Sequence, residues 1–254
     1  MKLPLRSYRI WHSPRTGSSL LCQLLVDTGM AGNPGEHFTL HTAKDFATKY
    51  DVKDYESFKK AFWQLATGGQ QIAAVKSGAH RTHDQIFYQE LFALKGLPPN
   101  SDPELLLNDL LPNCKHLLVV RNNKVRQAAS WWKAIQDHTW HLLPGQTYTN
   151  STDFYKDKYD VNALKHLYQE AVLRDIAAQD YLDRHGVTAM TVVHEDLITH
   201  PKSVLKRVLE YLEIDFDLQQ MPAFHYQQTA NEINEEWVQR FREDMQKDFE
   251  QKIW

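Results

Sequence analysis

The residues best placed to do chemistry lie in Pro14-Arg15-Thr16-Gly17-Ser18-Ser19, where one guanidinium, three hydroxyls and a glycine fall within six positions. Tyr8-Arg9-Ile10-Trp11-His12 ahead of them reads as a strand, and Leu20-Leu21-Cys22 behind them continues an apolar helix. A loop in that position collects free backbone N–H groups and the positive end of a helix dipole around one point, which suits a phosphate or a sulfate. The pattern G-x-x-x-x-G-K-[ST] is absent and Arg15 is the only cation in the loop, so the lysine and Mg²⁺-binding hydroxyl of a nucleoside-triphosphatase loop are not supplied.

An anion site of this kind suits a donor that needs no metal, such as 3′-phosphoadenosine 5′-phosphosulfate (PAPS). A second cation, Arg121, follows the apolar run His116-Leu117-Leu118-Val119-Val120, and Ser130 lies nine residues further on. Ligands of open α/β sheets bind at the carboxyl ends of the strands. A guanidinium there, with a hydroxyl from the next helix, would make a second phosphate clamp. The plain structural alternative is that Arg121 caps the sheet and Ser130 packs against a neighbour.

Glu36, in Pro34-Gly35-Glu36-His37-Phe38, is a carboxylate that could take a proton from a hydroxyl, or a solvated loop acid; His37 is a weaker base candidate. Trp131, Trp132, Trp140 and His141 offer flat faces to a sugar ring, although tryptophans at helical spacing more often belong to a core. Trp140 opens a polar loop and is the one expected to touch an acceptor. The thirteen histidines do not make a metal site. H-E-x-x-H after His194 would need histidine where Ile198 stands, and His80 and His83 have no further ligands at short spacing.

These side chains need a frame. Helical spacing runs from Val52 to Leu65 and from Thr82 to about Leu94; Gln70 to Lys76 reads as a short buried strand. The central strand His116–Val120 is followed by a helix from Lys124 to Ile135. Asp137 to Asp160 is polar and long enough for a lid or acceptor loop. Then come a helix from Val161 to Arg184 closed by Gly186, a strand from Val187 to Val193, a helix from Pro201 to Leu212 and a charged helix from Asn234 to Phe249. Alternation of this kind predicts an α/β fold with a mostly parallel central sheet flanked by helices on both faces, as one domain over residues 1–254.

Composition sets the limits. The formal net charge of −3 gives no field that would recruit nucleic acid, so any anion site is local. No apolar run could span a bilayer and no secretory leader is evident, and the two cysteines, Cys22 and Cys114, read as reduced core thiols. A cytoplasmic location is the expectation.

Taken together the chain resembles the bacterial carbohydrate sulfotransferases of the trehalose 2-sulfotransferase type, within the P-loop-like sulfotransferase superfamily. The resemblance rests on Pro14 to Cys22, Thr28 to Phe38, Arg121 to Ser130, Trp132 to Gln136 with Trp140, Glu195-Asp196-Leu197 and Asn234-Glu235-Glu236-Trp237, in that order along nearly the whole chain. It implies that Arg15, Thr16, Gly17, Ser18 and Ser19 hold the 5′-phosphosulfate of PAPS, that Arg121 and Ser130 hold its 3′-phosphate, and that Glu36 is the catalytic base. It also implies a carbohydrate acceptor, trehalose-like or a glycolipid, and a possible homodimer; Glu36, His37 and Trp140 are the residues expected to meet the acceptor, and no metal is expected. One departure concerns the acceptor: Gln228 stands where the family often has arginine, and Asn231 where it often has an acid. Two rivals stay open, an ATP-dependent phosphotransferase, which lacks its loop lysine and Mg²⁺ ligand, and an inactive nucleotide- or glycan-binding module on the same fold.

Overall fold

Strand β1 (Arg6–His12) sends Tyr8 and Ile10 to one face of the sheet and Arg9 and Trp11 to the other, and its five central residues are all buried. A strand buried on both faces is the mark of a parallel sheet covered by helices. The structure, a computed structural model, describes residues 4–38, 48–78, 81–140, 150–221 and 232–254, with the side chains of 81–84 excepted. Within them β1 pairs in parallel with β2 (Ile72–Ser77) and β3 (Cys114–Val120), and β4 (Ala189–Val193) pairs in parallel with β3. The order is β2-β1-β3-β4. The chain leaves β1 toward β2 and later returns on the other side with β3, so the loops after β1 and β3 border the switch point where such sheets bind ligands.

Helices α1 (Ser18–Asp27) and α8 (Pro201–Tyr211) cover one face, packing Leu21, Leu25, Val204, Leu205 and Val208 onto Tyr8, Ile10, Leu117 and Val119. The other face carries α2 (Tyr55–Thr67), α3 (Arg81–Lys95) and α4 (Glu104–Leu110), with Phe58, Phe62, Phe87 and Leu91 against Ala73 and Val75. Each fully buried side chain of that size contributes roughly 2 kcal/mol. Alongside lies α6 (Val161–Arg184), which sets Ala178 and Leu182 on Trp11 and Leu118. A third cluster joins α5 (Lys124–Asp137) and α6 to α9 (Glu232–Met245) through Trp131, Leu164, Trp237 and Phe241. The short α7 (His194–Thr199) follows β4.

The expected α/β architecture is observed, and the boundaries move for local reasons. Helix α2 starts at Tyr55 rather than Val52 because Asp54 and Ser57 form a reciprocal capping box. Strand β4 starts at Ala189 rather than Val187 because the Val187 N–H reaches back 2.9 Å to the Leu182 carbonyl and closes α6 around Gly186 at φ 61°. Helix α9 stops at Met245, before Phe249. Helices α4 and α7, of seven and six residues, were not anticipated and are held by burial of Leu106, Leu107 and Leu110 and of His194 and Leu197. In the second half of the expected lid a 3₁₀ turn spans Thr152–Tyr155 and buries Tyr155; residues 141–149, His80, the side chain of His83, and positions 228 and 231 lie outside the described residues.

Candidate active site

The loop after β1 is shaped by two left-handed residues, Arg15 at φ 67° and Gly17 at φ 83°. Alternation of this kind turns successive N–H groups toward one point. Gly17 caps α1, whose first turn carries no acid to compete with an anion. The loop is fastened from outside. Thr16 is fully buried and its hydroxyl donates to the Ser13 carbonyl at 2.9 Å, so its side chain is structural and only its backbone can face a ligand. The Ser13 hydroxyl donates to Asp175 of α6 at 2.8 Å, and the Gln127 amide of α5 donates to Ser13 Oγ at 2.9 Å and to the Pro14 carbonyl at 2.8 Å. Lys124 ion-pairs with Asp175 and completes this buried network.

Three of the expected anion-binding residues converge. Arg15 Nε donates to Ser130 Oγ at 3.0 Å, and Arg121 Nη1 donates to the Arg15 carbonyl at 3.3 Å. Trp140 joins them through its backbone carbonyl, which accepts from Arg15 Nη1, while its ring is 41% exposed. The turn ahead of Trp140 is held by a buried Lys133–Asp137 pair at 2.9 Å, with the Tyr155 hydroxyl also donating to Asp137. Behind Arg121, the Glu195 carboxylate accepts the Asn122 and Asn123 N–H groups at 3.2 and 3.0 Å. Burial would raise the pKa of Glu195, but these N–H donors and the neighbouring His194 leave it lowered. The His194 ring lies against Gly17; burial first, then the charge of Arg121, push its pKa down to about 4, so it is neutral near pH 7 and adds no charge to the loop.

Glu36 enters the site from the edge of the sheet. Gly35 bridges to Val75, and its carbonyl accepts the Lys76 N–H at 2.8 Å, which pins the Glu36 segment beside β2. Lys76 Nζ then lies 2.9 Å from Glu36 Oε1 and donates to Ser19 Oγ at 3.1 Å. The lysine side chain is 9% exposed and the glutamate 50%, so a buried ammonium joins an accessible carboxylate to the first turn of α1. His37 turns inward. Its Nε2 meets the Asn33 carbonyl at 2.9 Å, its ring packs edge-on to Phe62, and burial lowers its pKa. Cys22, beneath the loop, is no nucleophile, because burial pushes its thiol up to about 12. Among the described residues no group of three His, Cys, Asp or Glu is arranged to hold a metal.

A family model described as Stf0 sulphotransferase matches residues 7–244. The chain belongs to the Stf0 sulphotransferase family. It is 25% identical to the trehalose 2-sulfotransferase of Mycolicibacterium smegmatis, over 95% of this chain and 96% of that one. To the trehalose 2-sulfotransferase of Mycobacterium tuberculosis it is 23% identical, with the same coverage. Among solved structures it is similar to a sulfotransferase from Alicyclobacillus acidocaldarius, with a TM-score of 0.49, 15% identity and coverage of 98% of this chain and 92% of that one.

In this Stf0 sulphotransferase the motifs read from sequence divide by position. Arg15, Ser19, Glu36, Arg121 and Ser130 line the carboxyl end of the sheet. Glu195, Glu235 and Trp237 stand behind them: Glu195 holds the turn after Arg121, Glu235 forms a two-point ion pair with Arg126, and Trp237 is buried under α5 and α6. Trp131 is buried in the same cluster and Trp132 donates to the Lys158 carbonyl at 2.7 Å, so both are structural. Sequence reading missed Lys76. The available signal was a lone lysine ending the apolar run Ile72-Ala73-Ala74-Val75, a position that faces core unless a counter-charge awaits it.

Proposed function

We propose that this sulfotransferase moves a sulfuryl group from PAPS to a hydroxyl of a carbohydrate, trehalose-like or a glycolipid, with Glu36 as general base. Residues 1–254 act as one domain in this reading. The observation that carries it is the bridge Glu36–Lys76–Ser19, which ties an accessible carboxylate to the anion-binding end of α1. The acceptor oxygen forms its bond to sulfur while Glu36 takes the hydroxyl proton and the bond from sulfur to the 5′-phosphate oxygen breaks. Arg15, the N–H groups of Thr16, Gly17 and Ser18, and the Ser19 hydroxyl face the charge that develops on the sulfuryl oxygens and the leaving phosphate. Such transfer depends on alignment more than on covalent catalysis by the protein, as in phosphoryl transfer.

The convergence of Arg121 and Ser130 on Arg15 supports their assignment to the 3′-phosphate, and the names of the two relatives support a sugar acceptor. Trp140, beside the loop, is assigned to acceptor contact, as is Glu36; the expected contact from His37 is not supported, since its ring meets the Asn33 carbonyl and its own N–H and carbonyl are bonded to Gly35 and to Lys49. With Gln228 in place of arginine, either another cation contacts the 3′-phosphate or acceptor, or the acceptor differs from trehalose. Cys22 and Cys114 are free thiols, which supports the cytoplasmic assignment. No described helix is long and apolar enough to cross a membrane.

The test is thermal stabilisation by 3′-phosphoadenosine 5′-phosphate beside ADP and ATP-Mg²⁺. Ligand at ~100 times its dissociation constant adds about 2.7 kcal/mol to stability. Selective stabilisation by the 3′-phosphorylated nucleotide, followed by transfer of labelled sulfate from PAPS to a sugar panel, is the expected result. Stabilisation by ATP-Mg²⁺ alone overturns the donor. Nucleotide binding without transfer to any hydroxyl supports the inactive binding module instead.

A further inference from the structure

On the face of the sheet away from α1, helices α3 and α6 do not close over β1. A cleft of about 440 Å³ opens between them, within the ~300–1,000 Å³ range of small-molecule sites. Its floor is Arg9 and Trp11, and Tyr88 and Phe92 of α3 face Tyr181 of α6 across it. The Trp11 and Tyr181 rings are 4.7 Å apart and tilted by 45°, and Tyr88 and Phe92 stack at 6.4 Å, so both walls are aromatic.

Arg9 is the unusual group. It is 3% exposed, and its guanidinium carbon lies 3.5 Å from the centre of the Trp11 ring. Its Nε donates to Ser77 Oγ at 2.7 Å, and it forms no ion pair among the described residues. Glu104 feels its charge but accepts from the Tyr181 hydroxyl instead. An arginine cannot shed its proton to escape burial, so a buried guanidinium ordinarily has an anion beside it. Asp180 and Arg184 also line it, with Arg184 Nε donating to the Asp180 backbone carbonyl at 3.2 Å, and Gln85 and Gln89, one helical turn apart, offer amide donors.

We propose that this cleft is a second binding site, separate from the sulfuryl-transfer site, for a small aromatic carboxylate. The ring lies between the Tyr88–Phe92 and Tyr181 walls, and the carboxylate pairs with Arg9, which has no ion pair among the described residues. The site needs no metal and no donor nucleotide. Ser18 and Ser19 belong to α1, on the opposite face of the sheet from the Arg9 side chain.

The experiment is calorimetric titration of the full chain with 2-naphthoate and with its neutral isostere 2-naphthamide. Naphthoate should bind more tightly than naphthamide, and saturating 3′-phosphoadenosine 5′-phosphate should leave its affinity unchanged. Arg9→Met should weaken naphthoate at least about tenfold while changing naphthamide little, since charge-assisted contacts are the strong ones. Tyr88→Ala changes the α3 wall and leaves β1 untouched, so it serves if Arg9→Met fails to fold; there both probes should weaken about threefold or more. No binding of naphthoate to the native chain, equal binding in a folded Arg9→Met, or unchanged binding in Tyr88→Ala overturns the site. Competition by the nucleotide also overturns it, by placing the probe in the donor site. Because that arm reports on the two sites separately, loss of the PAPS reading leaves this one standing.

Discussion

At 2.9 Å from Glu36 and 3.1 Å from Ser19, the Lys76 ammonium touches both halves of the proposed reaction. It holds one oxygen of Glu36, the proposed base, and puts a positive charge next to the start of α1, where in that reading the sulfuryl oxygens would lie. The two roles separate by substitution. Glu36→Gln should keep nucleotide binding, because the amide is isosteric and half-exposed, while single-turnover rates fall by about two orders of magnitude or more. Unchanged turnover would remove Glu36 from the base role. Lys76→Met should lower kcat about tenfold or more with a smaller change in acceptor KM, and Lys76→Arg should recover part of the loss. A Lys76→Met enzyme with native kcat would reduce the lysine to a packing residue. The settings of Arg15 in a loop and Arg121 after a strand could be read locally, and Ser130 lies on the next helix; the structure brings the three together. Lys76 could not be read in that way, since its meaning depends on Glu36 and Ser19, which the chain brings to it only after folding.

At the scale of elements, the strand–loop–helix unit of β1 and α1 is held by contacts from elsewhere in the chain. Gly17 shows how tightly: its φ of 83° suits glycine, and a Cβ there would stand 2.7 Å from His194 Nδ1 of α7. Gly17→Ala therefore combines backbone strain with displacement of a buried ring. It should cost about 1–3 kcal/mol in urea unfolding and weaken 3′-phosphoadenosine 5′-phosphate, because the N–H groups of the loop no longer point together. A variant of native stability and native nucleotide affinity would show that α7 yields freely. Element types followed from periodicity, while starts depended on caps that periodicity does not show, as at Asp54, whose capping box moved the start of α2 to Tyr55. The short α4 and α7 escaped because seven or six residues give too few repeats to reveal a period.

At the scale of the whole molecule, His194 and His116 are the groups whose protonation bears on stability in acid. Burial, with Arg121 beside His194 and Arg9 beside His116, lowers both from the ordinary 6.5 to about 4. His116 Nδ1 also accepts the Trp11 indole N–H at 2.9 Å, a bond that protonation removes. Between pH 6.5 and about 4 the unfolded chain therefore binds more protons than the folded one. The stability these groups provide is complete above the upper limit and is lost as the pH falls through the window. Urea midpoints should fall across it, and a His116→Gln, His194→Gln double variant should show a shallower fall. A native chain with flat stability there would show that neither ring is held neutral.

The sequence by itself determined the α/β alternation, the Arg15–Ser19 loop between strand and helix and the strand-end arginine, because each is encoded within one contiguous stretch whose spacing fixes its geometry. Tertiary structure alone decided which of these residues meet. Ser130 reaches Arg15 across 115 residues, Lys76 reaches Ser19 across 57, and Glu195 reaches Asn122 across 73. The physical reason is the parallel register. Four strands running the same way bring their carboxyl ends to one edge of the sheet, and residues far apart in the chain become neighbours there. The same register leaves Arg9 buried on the opposite face without an ion pair among the described residues, beneath a cleft that no local pattern announces.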